Sequence, residues 1–143
     1  MYFSFSPFSL SSKKQNMKAN KIIYWTVTTI IAVMMVFSAY SYITNPAMAQ
    51  GFQHLGFSGN FRIELAIAKF IGAVVLLAPL GIRLKEWAYA GFAITFISAF
   101  VAHTTAGDPA AMRIAPLIFL VLLAVSYITY HKLPGKSIKI ANA

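Results

Sequence analysis

Five side chains in this largely apolar sequence have the chemistry to hold a polar ligand or move a proton: Arg62, Glu64, Lys69, His103 and Asp108. Arg62 and Lys69 are seven residues apart, so on a helix they project from nearly one face and would together hold an anionic or carbonyl oxygen. Glu64 precedes Lys69 by five residues, which sets it off that face by roughly 140° on ideal helical geometry. It is therefore expected to meet a neighbouring helix, with His103 as its partner. Glu64 and His103 would then move protons, since histidine is the side chain that titrates near neutrality. The competing reading makes Glu64 and Lys69 a structural polar bridge and His103 a hydrogen-bonded interfacial residue. Gly107-Asp108-Pro109 reads first as a turn, with its carboxylate available to Arg113.

Other chemistries find little support. The chain has no cysteine, which excludes disulfides, thiolate zinc sites, iron–sulfur clusters and CxxC redox chemistry by this chain alone. A bis-histidine haem would need a second histidine at the depth of His103, whereas His54 falls in a loop and His131 at the opposite end. No metal site is expected and no cofactor is required by the sequence. Nothing resembles a phosphate loop, a nucleophile elbow or a metalloprotease helix.

The elements that must position these residues follow from composition. Of the 143 residues 59% are hydrophobic and 10% charged, with mean hydropathy +0.69. Soluble domains carry about 25% charged residues, so too few are present here to cover a water-facing surface. The formal net charge of +9 does not indicate nucleic-acid binding, because the basic residues lie between apolar runs rather than along one stripe.

Four apolar runs predict four transmembrane helices, at about 22–44, 61–80, 87–106 and 114–130. A helix crosses a hydrocarbon core of about 30 Å in some 20 residues. Residues 1–21 are Ser- and Phe-rich and then basic, and are expected to be disordered; 1–16 are expected to lie upstream of a start at Met17. The connection 45–60 reads as a short interfacial helix or a folded loop, 82–86 (IRLKE) as a charged turn, and 134–143 as a basic tail. Lysine and arginine concentrate on one side, through Lys13, Lys14, Lys18, Lys21, Arg83, Lys85, Lys132, Lys136 and Lys139, against Arg62 and Arg113 on the other. That asymmetry predicts an all-α, four-transmembrane-helix bundle with both termini cytoplasmic, and makes Arg83, Lys85 and Lys132 topology determinants. Ala66, Ala68, Gly72 and Ala73 in the second helix, and Ala88, Ala90, Gly91 and Ala93 in the third, would let backbones approach. Lys69 is the most costly residue, at about 2.5–3.5 kcal/mol near mid-bilayer, and must face the interior, pair, give up its proton or extend to the interface.

From Ile22 to Leu133 the chain resembles the DoxX-like family of four-helix integral membrane proteins. The resemblance rests on FS at 37–38, NP at 45–46, FQHLGF at 52–57, FRIELAIAKFIGA at 61–73, RLKEWAYAGF at 83–92, H…GDP at 103–109 and SYITYHKL at 126–133. The family takes its name from a subunit of an archaeal thiosulfate:quinone oxidoreductase, and the resemblance carries no agreed catalytic assignment. It implies a membrane protein of unassigned chemistry; the leading expectation is a redox-associated accessory subunit, rather than a stand-alone enzyme, that engages quinone or another lipid-soluble ligand. The expected site lies between the second and third helices. The alternatives are a non-enzymatic assembly or scaffold protein and a small transporter, which would need to be a homodimer. The lipid bilayer is the expected partner, with another membrane protein as a further one, and the bacterial cytoplasmic membrane is the expected location.

Overall fold

The computed structural model describes residues 7–135. Across them the chain forms five helices and no strand: α1 (Pro7–Thr44), α2 (Pro46–His54), α3 (Gly59–Leu77), α4 (Ile82–Thr105) and α5 (Ala110–His131). The long helices close into a ring in which α1 packs on α3 and α5, and α4 on α5 and α3. Neighbours run antiparallel. Tyr24, early in the apolar part of α1, meets Leu76 at the end of α3, while Tyr42, late in α1, meets Lys69. One end of the bundle, the terminal end, holds the α3–α4 connection and the end of α5. The other, the loop end, holds α2 and the α4–α5 turn.

The apolar side chains face both ways. Ile31, Met35, Leu76, Phe92, Phe96 and Leu123 fill the core, while Phe37, Ile94 and Val121 are 63–66% exposed on the outside. A surface of this kind suits lipid. Among the described residues, three helices are long and apolar enough to cross a membrane: α1 from Phe8, α4 and α5. α3 carries Arg62, Glu64 and Lys69 within its 19 residues, too many charges to qualify by composition.

The structure corrects several boundaries. α1 begins at Pro7, so residues 7–21 are helical rather than disordered; residues 1–6 lie outside the described residues. No glycine or proline falls between Phe8 and Thr44, so the helix set up by the apolar run propagates back with nothing to stop it. The IRLKE segment is the first turn of α4 and not a separate turn. The connection is only Ala78–Gly81, and Pro79 ends α3 at Leu77. The 45–60 connection contains a true helix, α2, capped by the Asn45 side chain accepting from the Ala47 amide at 3.0 Å. The basic tail beyond Gly135 lies outside the described residues.

The small residues divide by face. Ala66 and Ala73 are buried, and Gly72 lies under the ring of Phe92, whereas Ala68, Ala90 and Gly91 are exposed.

Candidate functional site

Lys69 sits on the inward face of α3 and is only 6% exposed. Its Nζ donates to Ser38 Oγ at 3.0 Å and Tyr42 Oη at 2.8 Å, both on α1, and lies 4.0 Å from the centre of the Tyr42 ring. Ser38 and Tyr42 are one helical turn apart, so a single face of α1 presents both hydroxyls. Three N–H groups are available to an ammonium; the two hydroxyls take two of them. None of the ion pairs among the described residues involves Lys69. Arg62, on the same face of α3 and nearer the loop end, has its Nε buried without a hydrogen-bond partner.

An aromatic layer covers this seam. Tyr42 meets Phe52 of α2 edge-on at 4.8 Å, Phe52 meets Phe61 at 6.5 Å, and Phe57 stacks on Phe61 at 5.0 Å. The end of α2 explains the placement. Gly56 adopts φ 82°, the Gly56 amide bonds the Gln53 carbonyl at 3.0 Å and the Phe57 amide bonds the Phe52 carbonyl at 2.8 Å. This is a Schellman turn, which only a residue tolerant of positive φ closes easily. It brings Phe57 back against Phe52.

The same device builds a second cluster at the end of α4. Gly107 has φ 72°, its amide bonds the Thr104 carbonyl, and the Asp108 amide bonds the His103 carbonyl at 3.0 Å. Asp108 is thereby folded back over His103. Its carboxylate accepts from His103 Nδ1 at 2.6 Å and from His54 Nε2, at the end of α2, at 2.9 Å. The His103 bond foremost, then the His54 bond, hold the Asp108 carboxyl below the usual carboxylate range, against a lesser opposing push from desolvation. A depressed folded-state pKa stabilises the docked state above the unfolded value of about 3.9, and that stability is lost as pH falls through the lower folded value. Hydrogen exchange of the α2 amides is therefore expected to stay protected as pH falls to about 4 and to rise only below it. In Asp108→Asn, α2 should exchange faster above about pH 4, with the difference from the parent closing below it; equal exchange in variant and parent above about pH 4 would show that the clasp does not hold α2.

Of the five sequence-predicted residues, the structure joins only His103 and Asp108. Glu64 is exposed and does not reach His103, whose partner is Asp108. Asp108 does not pair with Arg113, whose Nε is buried without a partner. Lys69 faces the α1–α3 seam and not the α3–α4 interface. No group of three His, Cys, Asp or Glu among the described residues could hold a metal ion.

A polar network at the terminal end escaped the sequence reading. Lys85 is 4% exposed, and its Nζ donates to the Leu76 carbonyl at 2.8 Å and to Tyr24 Oη at 2.9 Å. Deeper in, Tyr89 Oη bonds Ser126 Oγ at 2.7 Å, and Ser126 Oγ bonds Thr28 Oγ1 at 2.6 Å. The rings of Tyr24, Tyr130 and Tyr89 pack between these bonds at 5.4 and 6.3 Å. All four long helices contribute. Arg83 and Lys132, by contrast, are exposed at this end, and Glu86 pairs with His131 at 2.7 Å. A signal was present: Tyr24/Thr28, Lys85/Tyr89 and Ser126/Tyr130 are each polar pairs four apart, the spacing of one helix face.

An up-down helical ring with an apolar exterior and buried lysines bonded to hydroxyls defines an integral membrane protein whose polar groups are kept inside. The family model for the DoxX-like family matches residues 26–126, and the chain belongs to that family. No curated protein and no solved structure matches it.

Proposed function

We propose that this DoxX-like membrane protein crosses the bilayer four times with both termini cytoplasmic. We further propose that it acts as a redox-associated accessory subunit holding a lipid-soluble ligand, such as a quinone head, in the α1–α3 seam beneath α2. The fourth span is α3. Its 19 residues rise about 28 Å, it runs antiparallel between α1 and α4, and its deepest charge is taken up by Ser38 and Tyr42. The orientation rests on Lys13, Lys14, Lys18, Lys21, Arg83, Lys85 and Lys132 at the terminal end against Arg62 and Arg113 at the loop end.

The observation that carries the ligand reading is the burial of Lys69 against two hydroxyls with no carboxylate in reach. An inward-facing amine in a membrane core, with a donor to spare, favours an oxygen of negative or partly negative charge. Arg62 Nε adds a second unused donor on the same face. Tyr42, Phe52 and Phe61 supply an aromatic wall, and an outward apolar groove along α1, lined by Val33, Val36, Phe37 and Tyr40, offers a bed for an isoprenoid tail. Proton transfer between Glu64 and His103 forms no part of this reading, since the two are apart.

A short-tailed quinone titrated against the purified protein in nanodiscs tests it. The parent protein should bind, and Lys69→Met should weaken binding at least about tenfold, a change of about 1.4 kcal/mol, with helix content unchanged. An absence of binding by the parent, or equal binding by Lys69→Met, overturns the reading.

A further inference from the structure

α1 is 38 residues long, and its first fifteen or so project past the bundle at the terminal end. Side chains from Phe8 to Ala19 are all exposed, with Leu10 at 52% and Met17 at 42%. This stretch is not patternless. Within the bundle the inward stripe of α1 is Tyr24, Thr28, Ile31, Met35, Ser38 and Tyr42; the first four are buried and the last two bind Lys69. The stripe advances by alternating steps of four and three residues, the spacing of a coiled-coil seam. Carried backward without a break, the same steps fall on Lys21, Met17, Lys14 and Leu10. In heptad terms Leu10 and Met17 take d positions, Lys14 and Lys21 take a positions, and Lys18 and Lys13 take the flanking e and g positions. All four lysines of the arm lie in or beside the seam, and serine, glutamine and asparagine occupy much of the remainder.

We propose that this arm docks an acidic amphipathic helix of a partner protein on the cytoplasmic side. Apolar residues of the partner would cover Leu10 and Met17, and its carboxylates would meet Lys13, Lys14, Lys18 and Lys21. Charges at e and g set partner choice, and polar residues at a set register. A second copy of this chain does not fit the seam, because it would place lysine against lysine and its own acids, Glu64, Glu86 and Asp108, lie outside the arm. Lipid headgroups fit less well on geometry. At about 1.5 Å per residue, Lys13 and Lys14 stand about 12–14 Å beyond Ile22, past a headgroup layer of about 5–8 Å. With no glycine or proline between Phe8 and Thr44, nothing in the sequence bends the arm back to the membrane.

The test uses the full chain in zwitterionic nanodiscs and a labelled three-heptad peptide with leucine at a and d and glutamate at e and g. A peptide of the same composition in scrambled order is the control. The patterned peptide is expected to bind at least about tenfold more tightly than the scrambled one, about 1.4 kcal/mol. Leu10→Asp with Met17→Asp should abolish the difference without changing the melting of the bundle. Changing all four arm lysines to glutamate should transfer binding to a lysine-bearing version of the peptide. Equal binding of the patterned and scrambled peptides overturns the proposal, leaving charge alone. Loss of peptide binding when phosphatidylglycerol is added to the nanodiscs would assign the arm to lipid, and dimerisation abolished by the arm variants would assign it to a second copy; either result overturns the proposal.

Discussion

Lys85→Glu is expected to unfold the terminal half of the bundle, with a loss of at least about 3 kcal/mol, the scale for an uncompensated buried charge. The native amine donates to the carbonyl of Leu76, the penultimate residue of α3, where the helix dipole presents its negative end. It also lies 5.1 Å from the centre of the Tyr130 ring and 5.6 Å from that of Tyr24, and ring faces are negative. A carboxylate in the same place would confront a carbonyl and two ring faces while supplying no donor. Lys85→Met should be far milder, about 1 kcal/mol on the scale of hydrogen bonds within membranes. Tyr24 Oη already lies 3.4 Å from the Leu76 carbonyl and can take over the bond. Denaturant unfolding in bicelles separates the cases: if the two variants lose the same stability, the sign of the charge is irrelevant and the electrostatic account fails.

The second large effect belongs to Gly72. A Cβ added there would stand 2.7 Å from Phe92 Cζ and 2.9 Å from Cε2. Phe92 is 3% exposed and stacked on Phe96, so its ring has little room to move. Gly72→Leu gains about 0.8–1 kcal/mol of helix propensity, but overpacking costs about 1–3 kcal/mol and more when the neighbour is held. A net loss is expected, concentrated at the α3–α4 contact. Adding Phe92→Ala should recover part of it, with a coupling of about 0.5–3 kcal/mol in a double-mutant cycle. Additive losses would show that the close approach does not couple the two sites.

Much of the architecture was legible because apolar runs and breakers are local signals. Asn45-Pro46, Pro79 and Gly107-Asp108-Pro109 mark where helices stop. The starts were less legible. Polarity before Ile22 suggests disorder, and polarity at 82–86 suggests a turn, yet polar residues without a breaker simply extend a neighbouring helix. In the site, the seven-residue spacing of Arg62 and Lys69 follows from helical geometry alone, and α3 is helical across both. Pairing across helices could not be read that way. Glu64 lost His103 to Asp108 because a backbone turn brings a residue five positions away into contact, and such a turn precedes any interhelical choice. For Lys85 the sequence signals topology, because it lies near a short loop, but its buried bonds to Tyr24 and the Leu76 carbonyl are not legible from that position. Its i, i+4 relation to Tyr89, repeated on α1 and α5, was the better guide.

The bond between Thr28 and Ser126 joins residues 98 positions apart, and Tyr89 depends on the same serine. The Lys69 bonds, by contrast, span only 31 and 27 positions. On the ribosome, α1 and α3 can therefore settle against each other early, while Thr28 and Tyr89 wait for the last helix. A chain stalled or cleaved before Ser126 keeps the Thr28 and Tyr89 hydroxyls turned inward without the serine that joins them. Such a product differs chemically from the finished molecule in the one partner that Thr28 and Tyr89 share.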